Sequence, residues 1–161
     1  DFRDWSPKTI DEVPFVLVDP QGGARANALL LHSPNGAIPP RMPRVVRLPY
    51  DGPARAIHLL GGVGGWAYPY GREGADSLVV RLIYRDGQTE DYPLRNGVHL
   101  ADYIRRIDVP GSRHAFDLAG RQVRFLSIEP ARPDQPLAAI ESRKGRDEVA
   151  PLVLAVTVET P

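Results

Sequence analysis

The chain has 161 residues, 20 basic side chains balanced by 20 acidic ones, and no cysteine. This length favours one domain with one core, and without thiols there are no disulfides or thiolate metal sites and no clue to the redox compartment. Balanced charge supplies no long-range field for nucleic acid or an anionic membrane, and no run approaches the ~20 consecutive apolar residues that cross a bilayer, so neither partner is expected.

The chain opens on Asp1 and not on a methionine, and reads as a segment of a longer protein: an extension over 1–12, then one domain within 1–161. Seventeen prolines and fifteen glycines interrupt every candidate for a long helix and leave short apolar runs between turn signals. In chain order the expected strands are 15–18, 28–31, 44–48, 56–60, 78–84, 89–92, 123–129, 137–141 and 152–159. Without the helices that β/α alternation requires, they predict an all-β fold, an antiparallel β-sandwich or jelly roll with at most one short helix.

The strongest local signal is 78–92, where Asp86-Gly87 supplies the turn between two extended arms. Its first arm alternates Leu78, Val80, Leu82 and Tyr84 against Val79, Arg81, Ile83 and Arg85, which makes one face cleanly apolar. The run 152–159 is apolar on both faces, so it should lie centrally, with Leu152, Leu154, Val156 and Val158 inward and Val153 and Ala155 also covered. Within 96–107, apolar residues at 100, 104 and 107 have helical spacing; a short helix there would set Asp102 and Arg106 up as a surface ion pair and place His99 near Asp102.

No reaction centre assembles from these residues. The histidines His32, His58, His99 and His114 are scattered without metal-ligand spacing, so no metal ligands and no catalytic residues are assigned. Asp19, Asn27 and Asp51 offer oxygens to a structural calcium in early loops, but no D-x-D-x-D-G spacing joins them and no other cofactor is expected. Gly61-Gly-Val-Gly-Gly65 is followed by Trp66 and Pro69 instead of a helix, which refuses a phosphate loop and points to a glycine-lined strand end.

The segment Gly65-Trp66-Ala67-Tyr68-Pro69-Tyr70-Gly71-Arg72-Glu73 places three aromatics and a charged pair in one loop. An aromatic ring can cover the C–H face of a pyranose while a guanidinium grips its hydroxyls, so Trp66, Tyr68, Tyr70 and Arg72 are the candidate saccharide-binding residues. Trp66 has a second reading, as a plug at the end of the sandwich.

Several blocks in order, 13–20, 57–66, 84–91, 95–104 and 154–159, resemble carbohydrate-binding-module-like, galactose-binding-like jelly-roll domains at the C-terminal ends of large secreted bacterial proteins. In particular the chain is similar to the terminal domain of multidomain dehydrogenase-like proteins that also carry a propeller, helical repeats and a c-type haem domain. The resemblance implies an extracytoplasmic, non-catalytic module that binds a polysaccharide or oligosaccharide; the alternative is a docking domain packed on neighbouring domains of the parent protein. No C-x-x-C-H occurs, so no haem attaches here.

Overall fold

The computed structural model describes residues 4–161, and among them the fold is all-β. β6 (Asp76–Tyr84) and β7 (Thr89–Arg95) form the expected hairpin, with Gly87 at φ 83° in its turn, a left-handed conformation that suits glycine. Alongside β6 lies β10 (Leu137–Lys144) and then β4 (Val45–Gly52), completing a four-stranded antiparallel sheet in the order β4-β10-β6-β7. The second sheet runs β3 (Leu29–Leu30), β11 (Ala150–Glu159), β5 (Ala56–Gly64), β9 (Arg121–Ile128), β8 (Arg113–Leu118), also antiparallel throughout. The chain passes between sheets from β3 to β4, β4 to β5, β5 to β6, β7 to β8, β9 to β10 and β10 to β11, so the two close on each other as a sandwich.

Apolar side chains account for the stacking. Leu78, Val80, Leu82 and Tyr84 of β6, Leu137 and Ile140 of β10, Ile57 and Leu59 of β5 and Leu126 and Ile128 of β9 share one buried cluster between the sheets. Cutting a fully buried leucine such as Leu82 back to alanine would cost about 2–5 kcal/mol. Outside the sandwich the four-stranded sheet carries an alternating charge row, Arg47, Glu141, Arg81 and Asp91, one residue per strand in register. Its two edge strands contain Pro49 and Pro93, which remove backbone donors from the exposed edges.

The five-stranded sheet is covered on both faces. A small hairpin, β1 (Lys8–Ile10) with β2 (Val13–Phe15), and the segment after it lay Phe15 and Leu17 against Leu60, Val123, Phe125 and Leu118. The Phe15 and Phe125 rings meet edge to face at 6.0 Å. The outer face of β5 and β9 is therefore a second, smaller core.

The structure corrects four details. β1 and β8 lie where no strand is expected; β8 is irregular between His114 and Phe116, which breaks the alternation that would have announced it. The strand expected at 15–18 ends at Phe15. In β11 a bulge between Val153 and Ala155 shifts the parity, so Val153, Val156 and Val158 join the inter-sheet core while Leu154 packs with the outer cluster. Finally, 96–107 forms turns and not a helix: the N–H of Asp102 donates to Tyr68 O at 2.9 Å and that of Tyr103 to Val63 O at 2.9 Å, so neighbouring strands and loops satisfy this backbone.

Candidate functional site

Past its last regular residue β5 turns out of the sandwich through Gly65 and Trp66, both at positive φ (87° and 65°). A tryptophan in the left-handed region is strained by roughly 1–2 kcal/mol. Its side chain does not recover that by burial: Trp66 is 66% exposed. The plug reading is thereby overturned, and the small residue that follows, Ala67, is the one buried at this end of the sandwich. Tyr70, 42% exposed, returns to Trp66 with ring centroids 5.8 Å apart and planes at 90°. Tyr68 turns the other way: its ring and the Glu73 side chain pack over Gly97. Arg72 is exposed and reaches none of these rings by an ion pair or ring contact. Of the four candidates, then, Trp66 and Tyr70 are brought together, while Tyr68 and Arg72 stand apart from them.

Two buried polar side chains hold the loop. The Asp102 carboxylate, in a residue only 1% exposed, accepts the Ala67 N–H on Oδ2 at 2.9 Å and the Ile104 N–H on Oδ1 at 3.0 Å. The Asn96 side chain accepts the Tyr68 N–H on Oδ1 at 2.9 Å and donates through Nδ2 to Arg72 O at 2.7 Å. Asp102 is thus no surface partner for Arg106, and the expected ion pair does not form. Nor does Asp102 orient His99, whose Nδ1 accepts the Arg95 N–H at 3.0 Å; burial first, then the nearby Arg95 charge, lowers the His99 pKa.

The same clamp builds a second wall. Asp102 fixes the chain that presents Tyr103, 37% exposed, next to Gly64; a Cβ there would lie 2.8 Å from the Tyr103 ring, so glycine is required for the approach. Between Trp66 and Tyr103 runs a groove of about 480 Å³, bordered by Gly64, Ile38, Asn35 and Leu152. Arg105 sits over Tyr70 at 5.4 Å from the ring centroid, and Arg121 over Tyr103 at 5.6 Å. Arg124, 1% exposed, donates to Ser112 Oγ, Ser112 O, Ile107 O and Gln122 Oε1 at 2.6–3.0 Å, and pins the 104–112 segment to β9.

Sequence reading missed Tyr103, Arg105, Arg121, Asn96 and Asp102. The last two had a signal: short polar side chains beside buried Leu100 and Ala101, in a stretch rich in turn residues.

A second constellation lies on the outer face of the five-stranded sheet. His58, stacked on Phe125 at 5.8 Å, has Nδ1 2.8 Å from Ser127 Oγ and Nε2 3.3 Å from Glu159 Oε2. With Nε2–H donated to the carboxylate, Nδ1 accepts the Ser127 hydroxyl proton, which has the polarity of a nucleophile-activating relay. Ser127, however, sits within the regular strand β9, not on a tight turn that raises a nucleophile beside converging backbone N–H donors. Of the oxygen donors considered for calcium, Asp51 is paired with Arg85 and Asp19 accepts the Gln21 N–H. Among the described residues no three His, Cys, Asp or Glu side chains converge as metal ligands.

No family model, no curated protein and no solved structure matches this chain.

Proposed function

We propose that this domain is a non-catalytic, carbohydrate-binding-like module of a larger secreted protein, and that it takes a saccharide in the groove between Trp66 and Tyr103. The observation that carries the reading is the exposed Trp66 ring, presented from a strained backbone position by buried Asp102 and Asn96. An indole left in water forgoes its hydrophobic gain unless something covers it, and the C–H face of a pyranose is a suitable cover. Tyr70 and Tyr103 extend the apolar platform; Arg105, Arg121 and Asn35 offer polar contacts at its rim, with Arg72 on the adjoining turn. Affinity electrophoresis against plant, algal and bacterial polysaccharides tests the reading: retardation lost on Trp66→Ala supports it, and free migration in every gel removes it.

A docking role is the second reading, and a different surface favours it. Where β3 is only two residues long, the sandwich opens into an apolar groove of about 500 Å³ lined by Met42, Val46, Leu48, Leu154 and Val156. An uncovered apolar surface of this kind fits packing against a neighbouring domain of the parent protein. Tight binding of an adjoining domain, abolished by Val46→Glu and indifferent to Trp66→Ala, would select this reading.

A further inference from the structure

Building on the saccharide reading, we infer that the groove is specific for an acidic glycan, one whose carboxylate or sulfate groups are held by Arg105 and Arg121. The two guanidinium groups flank the groove through its aromatic residues: Arg105 lies over Tyr70, which touches the groove-lining Trp66, and Arg121 over Tyr103, which lines the opposite wall. Both arginines are exposed. Neither has a carboxylate partner among the described residues, a state they share with other exposed arginines such as Arg25, Arg47 and Arg106, whereas Arg113 and Arg132, the other arginines lying over rings, are ion-paired.

None of the nearby acids forms an ion pair with them, and exposed Asp108 acts on the buried Arg124. Asp102 is buried with its oxygens on backbone N–H groups, and Glu73 packs over Gly97. No residue lining the groove is acidic. Recognition of a neutral sugar needs acceptors as well as donors, because every hydroxyl is both; a guanidinium carries five donors and no acceptor. Asn35 brings one amide acceptor to this rim, but the two guanidinium groups outnumber it with donors, the complement of an anionic oxygen cluster. Stacking on tyrosine also holds each guanidinium in place before a ligand arrives, so less side-chain freedom is lost on binding.

Calorimetry and affinity electrophoresis of the purified domain decide the matter, with polygalacturonate as the carboxylate glycan, chondroitin sulfate as the sulfated one, galactan and xyloglucan as neutral comparators, and polyaspartate as a charge without a sugar. The expected result is binding to one or both acidic glycans, weakened as salt rises from roughly 50 to 500 mM, with galactan, xyloglucan and polyaspartate at least tenfold weaker. Arg105→Ala and Arg121→Ala should each cost roughly 5–20-fold in affinity with an unchanged circular dichroism spectrum, since neither side chain is buried. Binding of galactan or xyloglucan as tight as that of the acidic glycans and insensitive to salt would overturn this inference and leave the saccharide reading standing. Equal binding of polyaspartate would overturn it by showing that charge alone suffices. Silence from all four glycans would remove both.

Discussion

Asp102→Asn is the sharpest perturbation of the site's architecture. The carboxylate serves two backbone donors, Ala67 N–H at 2.9 Å and Ile104 N–H at 3.0 Å, one on each wall of the groove. Asparagine has a single acceptor oxygen, so whichever way the amide turns, its NH2 group faces one of those donors. One hydrogen bond to a charged acceptor is lost and a buried N–H is left unpaired, a cost of about 2–4 kcal/mol. For a chain of this size that is roughly 5–15 °C in melting temperature, read by scanning calorimetry or by a urea midpoint shift at constant m-value. Because both walls hang on this carboxylate, saccharide affinity should fall together with stability. A melting temperature within about 2 °C of the parent chain would refute the clamp, and with it the account of why Trp66 is held outward.

Three further outcomes follow from other parts of the molecule. Arg124→Met should destabilise by about 3–5 kcal/mol in urea unfolding, since it leaves Ile107 O, Ser112 O and Gln122 Oε1 without their buried donor, and Arg124→Lys should not rescue it because an ammonium cannot reach the same spread of acceptors. Burial opposes ionisation of Glu90, but hydrogen bonds from Tyr84, Tyr92 and the Ala131 N–H outweigh it and lower its pKa below 4.5, so its contribution is complete above that value and is lost as pH falls through the lowered folded-state value. Glu90→Gln should therefore lower stability at neutral pH and flatten the acid limb of a pH–stability profile, an unchanged acid limb being the contrary result. Ser127 should give no adduct with a fluorophosphonate probe despite its contact with His58, and labelling abolished by His58→Ala would contradict the non-catalytic reading.

The sandwich is legible in the sequence where local signals agree with tertiary structure. The alternation of Leu78, Val80, Leu82 and Tyr84 and the Asp86-Gly87 turn specify the β6–β7 hairpin without help from the rest of the chain. The glycine run 61–65 reads as a strand end and proves to be one, since the Leu152 backbone and the Tyr103 ring press against it. Bulges defeat the same reasoning: one in β11 reverses which of Val153 and Leu154 faces the core, and the irregularity in β8 hides that strand.

Segment 96–107 fails for a different reason. The spacing of Leu100, Ile104 and Ile107 imitates a helix, but Asp102 and Asn96 spend their side chains on another loop's backbone, a commitment no local pattern reveals. Within the site, loop aromatics pointed to Trp66 and Tyr70, whereas Tyr103 and its flanking arginines became neighbours only through the fold. Arg124 left a trace, a charge inside the apolar run of β9, which marks a buried and fully partnered side chain.

Intrinsic fluorescence offers the most direct probe, because Trp5 and Trp66 are the only tryptophans and Trp66 is the exposed one. Titration with oligosaccharides of increasing length should produce a saturable blue shift that vanishes in Trp66→Phe. A spectrum that no sugar moves, or a shift of equal size in the Trp66→Phe protein, would contradict a saccharide seated on that indole.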